Sequence, residues 1–210
     1  MQRKFACFGG SFDPPHFGHL RIIESVLNAK EIDKLFLVPN FLNPFKSHFY
    51  FSPKLRLEWL RILCKESLKV WADKIEILDY EVRQNAPVPT YQTLQFIQQT
   101  YSLTPKDKMY LLVGADNVES LHKWQNFDWL QNNVEFVIIP RKGFRIPQNF
   151  QTLPFCAMDI SSTQIRNKLA CSDFVELSRL IPQPILELIL KEKTLKFLTL
   201  KKQIILWILS

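Results

Sequence analysis

Glycine and cysteine are scarce in this chain, and long apolar runs are absent. Only 5 of the 210 residues are glycine and 4 are cysteine. The cysteines are scattered and form none of the close pairs that bind zinc or define a small disulfide framework. No stretch approaches the roughly 20 apolar residues of a membrane span, and no apolar leader precedes the first strand. We therefore expect a cytoplasmic protein with no secretory signal and no membrane partner.

Several catalytic fingerprints are also missing from the sequence. We find no Walker-type Gly-Lys-Ser/Thr, no Gly-x-Gly-x-x-Gly, no His-Glu-x-x-His and no serine nucleophile elbow. These absences argue against P-loop enzymes, zinc proteases and serine hydrolases. No protein ligands for a metal can be named from the sequence, so these are unknown.

Composition and charge limit the remaining classes of protein and partner. Hydrophobic residues make up 47% and charged residues 22%, as is ordinary for a globular domain, and the net charge is +7. We see no arginine-rich tract and no aromatic-and-basic RNA-binding pattern, so we expect no specific nucleic acid partner. Attraction of polyphosphate substrates explains the charge more economically. We predict one domain over residues 1–190 and a tail over 191–210 whose structure, like the oligomeric state, the sequence leaves open.

Predicted strands and helices alternate along the chain. This alternation indicates an α/β fold with a parallel sheet covered by helices on both faces. Three predicted helices begin at Ser52-Pro53, Thr90 and Ser161. The predicted strands are Phe5–Phe8, Lys34–Val38, Ile75–Tyr80, Met109–Val113, Val134–Ile139 and Phe155–Met158.

The most informative segment is residues 9–20, which follows the first strand and opens a helix. It contains three of the five glycines, Gly9, Gly10 and Gly18, and two of the four histidines, His16 and His19. The free backbone N–H groups at a helix start favour phosphate, and glycine lets the backbone approach a ligand closely. A tight turn with two surface histidines is the alternative, and this clustering disfavours it.

A second polar cluster covers residues 160–166. Ser161 or Ser162 can cap a helix, while Thr163 and Arg166 can bind phosphate oxygens. Taken alone, the cluster is better explained as a well-capped helix. Beside the first motif, a phosphate site becomes the better interpretation.

Four further residues are candidates for a ligand site, and three of them have two readings each. Gly114 allows close approach of a ligand, and Asp116 either accepts from ribose hydroxyls or caps a helix. Lys46 either reaches a phosphate or lies in solvent. Trp124 either stacks on a base or belongs to the core.

Residues 9–20 resemble the GxFxPxHxGH signature of the nucleotidyltransferase superfamily, and residues 160–166 resemble its ISSTxxR signature. Within that superfamily the chain is most similar to the bacterial nicotinate-nucleotide adenylyltransferases. Three more segments carry this likeness: residues 113–124 resemble a GAD…LxKW block, residues 90–94 the end of SYTxxTL, and residues 136–144 an FVxxxRxG strand and loop.

The resemblance implies a Rossmann-like doubly wound sheet with a short C-terminal helical region. It also implies transfer of the adenylyl group of ATP to nicotinate mononucleotide, with Mg²⁺, giving deamido-NAD and pyrophosphate. The implied catalytic residues are His16, His19, Arg166 and Lys46. The implied nucleotide-binding residues are Gly9, Gly10, Ser11, Phe12, Gly114, Asp116, Ile160, Ser161, Ser162 and Thr163. The implied substrate-binding residues are Thr90, Trp124 and Arg141, of which Thr90 and the backbone beside Trp124 would contact the nicotinate.

The chain departs from the family pattern at two places near these residues. Asn43-Pro44-Phe45-Lys46 stands where PPHK is usual, and Val88-Pro89 stands where Ser-Tyr is usual. The second departure leaves nicotinamide mononucleotide open as the preferred acceptor. A nucleotide-binding module without catalysis is the alternative from another class.

Overall fold

A six-stranded, fully parallel β-sheet forms the centre of the molecule. The computed structural model describes residues 2–29, 31–43, 46–154 and 158–194. Every neighbouring pair of strands runs parallel, in the order β3-β2-β1-β4-β5-β6. This order is that of the doubly wound nucleotide-binding folds, so the predicted fold class is confirmed.

The elements follow one another with short connections. The strands are β1 (Lys4–Gly10), β2 (Lys34–Pro39), β3 (Ile75–Ile77), β4 (Lys108–Gly114), β5 (Glu135–Ile139) and β6 (Gln151–Thr152). The helices are α1 (Phe17–Ala29), α2 (Pro53–Ser67), α3 (Tyr80–Gln84), α4 (Thr90–Thr100), α5 (Phe127–Asn133), α6 (Ser162–Ala170), α7 (Phe174–Leu180) and α8, which covers residues 183–194. Two 3₁₀ helices cover Lys69–Lys74 and Ala115–Lys123.

The sheet separates two apolar cores because successive strand residues point to opposite faces. In β1, Ala6 and Phe8 belong to the first core, while Phe5 and Cys7 belong to the second. The first core lies under α1, α2, α6, α7 and α8, and the second lies under α4, α5 and the 3₁₀ helix Ala115–Lys123. Helices therefore cover both faces, as predicted.

One predicted strand is shorter than expected, and another lies largely outside the described residues. The strand expected over 75–80 ends at Ile77, because Tyr80 already begins α3 and stacks on Phe96 with ring centroids 4.2 Å apart. The strand expected over 155–158 falls largely on 155–157, outside the described residues, and the edge strand β6 lies earlier, at Gln151–Thr152.

Thr90 does not cap α4, contrary to expectation. It is the first helical residue, and Pro89 holds the cap position without a side-chain hydrogen bond. The Pro89 carbonyl accepts the first bonds of the helix, from the backbone N–H of Gln92 at 3.0 Å and of Thr93 at 3.4 Å.

The predicted C-terminal helical region is present as α8, which runs across residue 190. The division into residues 1–190 and 191–210 stays a prediction, since residues 195–210 lie outside the described part of the chain. Among the described residues, no helix has the length and apolar character needed to cross a membrane.

Candidate active site

The candidate site lies at the carboxyl ends of β1 and β4. These neighbouring strands end at Gly10 and Gly114. From β1 the chain enters α1 on the first face, whereas from β4 it enters the 3₁₀ helix Ala115–Lys123 on the second face. An open parallel sheet usually binds its ligand where the connections diverge in this way, and we call this place the crevice.

Two imidazole rings lie together at the start of α1. The ring centroids of His16 and His19 are 3.8 Å apart. Nδ1 of His16 accepts the backbone N–H of Gly18 at 3.1 Å, and Nδ1 of His19 accepts the backbone N–H of His16 at 3.2 Å. Since an accepting nitrogen carries no proton, the neutral form of each ring has its hydrogen on Nε2. Both rings are thereby fixed as Nε2–H donors.

Burial keeps both rings neutral around physiological pH. It lowers the pKa of His16 to about 3, with a further contribution from the positive charge of Arg141. Burial also lowers the pKa of His19 well below its ordinary value, aided by His16 and Arg141. The free protein thus offers two uncharged donors. Bound phosphates would favour protonation, since an opposite charge stabilises the imidazolium.

Gly18 is required by the position of the His16 ring. A Cβ atom at Gly18 would lie 2.9 Å from Cε1 and 3.0 Å from Nδ1 of His16. Phe12 packs against the His19 ring: Phe12 is 1% exposed, and its ring centroid lies 4.8 Å from that of His19. The Phe12 side chain is therefore part of the core, which leaves only its backbone to meet a nucleotide.

The second motif, residues 160–166, is hydrogen-bonded directly to the first, residues 9–20. Nη1 of Arg166 donates to the carbonyl of Asp13 at 2.8 Å, and the Ser162 hydroxyl donates to the carbonyl of Pro14 at 3.2 Å. Nη2 of Arg166 donates to the Thr163 hydroxyl at 2.9 Å. These bonds bring the Arg166 guanidinium beside the turn that carries the histidines.

The start of α6 is capped as predicted. The Ser161 hydroxyl accepts the backbone N–H of Gln164 at 3.1 Å. Ile160, just before this cap, packs in part against the first core. Ser162 then lies at the first position of α6, where backbone N–H groups have no partner within the helix.

Gly114 makes room for an ion pair on the β4 side. Nε of Arg141 lies 3.1 Å from the Asp116 carboxylate, and a Cβ at Gly114 would collide with that carboxylate. Asp116 makes no capping bond to the 3₁₀ helix, so the capping alternative is not realised. Arg141, about half exposed, lies close enough to the histidines to depress their pKa values.

Lys46 faces the first motif. Its ammonium nitrogen lies 3.5 Å from the Ser11 hydroxyl. Desolvation and the nearby positive charge of Arg166 lower the pKa of Lys46, while the carboxylate of Asp13 opposes this shift. The residue as a whole is exposed, yet its charge belongs to the same positive region as Arg166 and Arg141.

The two residues assigned to the nicotinate site lie on the second face. Thr90 begins α4, and Trp124 ends the 3₁₀ helix that follows β4. Trp124 packs partly against the second core and is partly exposed, so the core reading applies in part, and stacking on a base stays a prediction. The hydrogen bonds and ring contacts recorded for the described residues do not join Thr90 or Trp124 to the histidines.

Asp13 is buried, and both oxygens of its carboxylate are hydrogen-bonded. It is 3% exposed, and its carboxylate accepts the backbone N–H groups of Tyr50 and Phe51, each at 2.9 Å. The part of the chain that the structure describes contains no group of three or more His, Cys, Asp or Glu residues placed to hold a metal ion.

Arg56 and Glu81 were missed by the sequence analysis. Arg56 is 1% exposed and Glu81 is 6% exposed. Burial raises the pKa of Glu81 to about 7, although the Thr93 hydroxyl, 2.7 Å away, and the charge of Arg56 oppose this rise. A signal for Arg56 was present: it shares the buried stripe of α2 with Trp59 and Leu63, where a charge is unusual.

Comparison with known proteins agrees with this geometry. The cytidylyltransferase-like family model matches residues 7–168. Over 163 residues, 78% of this chain and 87% of the relative, the chain is 42% identical to a protein of Nitratiruptor sp. named probable nicotinate-nucleotide adenylyltransferase. A protein of the same name from Sulfurimonas denitrificans is 45% identical over 167 residues, 80% of this chain and 86% of the relative.

A solved structure is similar in fold. It is the Plasmodium falciparum nicotinic acid mononucleotide adenylyltransferase complexed with NaAD, with a TM-score of 0.76 and 23% identity. The match covers 91% of this chain and 96% of that chain.

Proposed function

The chain belongs to the cytidylyltransferase-like family and, within it, to the nicotinate-nucleotide adenylyltransferases, and we propose that it transfers the adenylyl group of ATP to nicotinate mononucleotide. The observation that carries this proposal is the docking of Arg166 beside the two fixed imidazoles at the end of β1. The products are deamido-NAD and pyrophosphate.

The reaction needs no protein nucleophile. A phosphate oxygen of the mononucleotide attacks the α-phosphorus of ATP, and the bond from that phosphorus to the bridging oxygen of pyrophosphate breaks. The new phosphorus–oxygen bond joins the two nucleotides. Catalysis then consists of holding the attacking oxygen in line and stabilising the charge that develops on the leaving pyrophosphate.

The residues at the crevice suit these two tasks. The Nε2–H groups of His16 and His19 can donate to oxygens on the α-phosphate as negative charge grows there. Arg166 and Lys46 add fixed positive charge for the β and γ phosphates. The backbone N–H groups at the starts of α1 and α6 add further donors.

The acceptor and the adenosine would occupy the β4 side of the crevice. Asp116 and Arg141 hold each other at the end of β4, where a carboxylate can accept from ribose hydroxyls and a guanidinium can meet phosphate. Thr90 and the backbone beside Trp124 would read the nicotinate ring. Mg²⁺ would arrive with ATP, held by phosphate oxygens and water, and would neutralise charge on the pyrophosphate. We place the reaction in the cytoplasm, in keeping with the free thiols of Cys7, Cys64 and Cys171.

The test is pyrophosphate release with ATP and Mg²⁺, comparing nicotinate mononucleotide with nicotinamide mononucleotide. We expect the nicotinate form to be strongly preferred. Preference for nicotinamide mononucleotide would leave the proposed mechanism intact but change the acceptor. It would point to Val88-Pro89 as the cause. Folded protein that binds ATP yet turns over neither compound would refute the proposed function.

The variant His19→Ala tests the role of the imidazoles. Loss of a preorganised donor at a developing charge costs roughly 10²- to 10³-fold in turnover. The matched control is His122→Ala, an exposed histidine on the 3₁₀ helix after β4, which should retain native turnover. Native turnover in folded His19→Ala protein would remove His19 from the mechanism.

A further inference from the structure

Arg56 on α2 is a fully buried cation, with 1% of its surface exposed. A buried charge is costly unless hydrogen-bonded partners surround it. Its guanidinium donates to three backbone carbonyls: Nη1 to that of Ser11, Nη2 to that of Phe41 at 2.8 Å, and Nε to that of Phe51 at 3.1 Å. All three recorded acceptors are main-chain oxygens, so Arg56 holds backbone in place.

The three carbonyls belong to three different segments around the crevice. Ser11 lies in the turn that leads from β1 to His16. Phe41 lies in the loop after β2, which carries Lys46. Phe51 directly precedes the cap of α2. One planar group therefore sets the separation of the histidine turn, the lysine loop and the start of α2.

Two nearby carboxylates stabilise the positive charge of this guanidinium. Asp13 and Glu81 are its carboxylate neighbours, and both favour its charged form against the effect of burial. Asp13 also accepts the backbone N–H of Phe51, whose carbonyl Arg56 holds, while Arg166 donates to the Asp13 carbonyl. Arg56 and Arg166 thus both donate hydrogen bonds to the histidine turn, Arg56 to the carbonyl of Ser11 and Arg166 to that of Asp13.

We propose that Arg56 is a positioning residue for adenylyl transfer, which fixes the histidine turn relative to the Lys46 loop without touching substrate. The planar fork of arginine defines three bond directions at once, which the single ammonium of lysine cannot reproduce. A displacement of about 1 Å in the groups that align a reaction can cost roughly 10²-fold in rate. This inference rests on the proposed adenylyl transfer.

The test uses Arg56→Met and Arg56→Lys, with Arg3→Lys as the matched control. Arg3 also donates to a carboxylate and a carbonyl, those of Asp107 and Ser102, but it lies at the opposite, amino-terminal edge of the sheet. Single-turnover reactions use enzyme in excess over nicotinate mononucleotide, with saturating ATP, so that the first-order rate constant at saturating enzyme reports alignment in the folded protein. Circular dichroism measures the folded fraction separately.

We expect the rate constant to fall about 10²-fold in Arg56→Met and less in Arg56→Lys, with both Michaelis constants within about threefold of native. Arg3→Lys should retain the native rate constant. A native rate constant with a reduced folded fraction alone would assign Arg56 to stability and overturn the proposal, as would failure of both variants to fold. Absence of turnover in the native protein would instead refute the proposed function.

Discussion

Glu81 gives the most quantitative prediction, because it is a carboxyl group buried beside the site with 6% of its surface exposed. Burial raises its pKa from 4.5 to about 7. The folded protein therefore binds this proton more tightly than the unfolded chain does. The associated stabilisation is complete below the unfolded pKa and is lost as the pH rises through the folded one.

The size of the effect follows from linkage. The rise in pKa corresponds to about 3 kcal/mol in total, of which roughly 2–3 kcal/mol falls between pH 5 and pH 8. The variant Glu81→Gln cannot titrate, and its amide oxygen can still accept the Thr93 hydroxyl. Its NH₂ group adds a penalty of about 1–3 kcal/mol that does not depend on pH. Relative to native, Glu81→Gln should therefore gain stability steadily from pH 5 to pH 8.

The assay is urea unfolding followed by tryptophan fluorescence at several pH values, with the free energy of unfolding extrapolated to water. The histidines act in the opposite sense: the pKa of His16 is lowered to about 3, so its contribution is lost as the pH falls below 6.5. Both proteins retain His16, and the difference between them isolates Glu81. Glu58→Gln, an exposed change on α2, is the control. A free-energy difference that is flat from pH 5 to pH 8 would contradict the reasoning.

Two further variants test the two motifs directly. Arg166→Ala removes a charged donor worth about 1.5–3 kcal/mol. The kcat/KM for ATP should therefore fall roughly 10- to 100-fold, and the kcat/KM for the acceptor should fall less. Equal effects on both substrates would show that Arg166 does not bind the β and γ phosphates. Gly18→Ala places a methyl group against the His16 ring, and turnover should fall roughly 10²-fold in protein that still folds, as judged by circular dichroism; unchanged turnover would mean that the ring position does not matter.

Four of the six strands and both motifs could be predicted from the sequence because each is a local pattern. The apolar runs that became β1, β2, β4 and β5 lie within a residue or two of their predicted bounds. Ser161 caps α6 through a bond to Gln164, only three positions away along the chain. Such contacts between near neighbours leave a trace in the order of residue types.

The parts that were not predicted depend on contacts between distant segments. The Asp116–Arg141 ion pair and the three carbonyls around Arg56 exist only after the sheet has brought separate loops to one edge. Asp13 accepts two backbone N–H groups from positions 37 and 38 residues away along the chain. A carboxylate looks the same in sequence whether it meets a metal, a ribose or an amide.

The docking of Arg166 on the Asp13 carbonyl has a consequence for the synthesis of the protein. The two residues are 153 positions apart, so the ribosome makes the histidine turn well before its cationic partner. Contacts of such large sequence separation form late, because a long loop must close first. A nascent chain that lacks α6 therefore carries the imidazoles but not the arginine. The proposed adenylyl transfer requires α6 to return to the histidine turn.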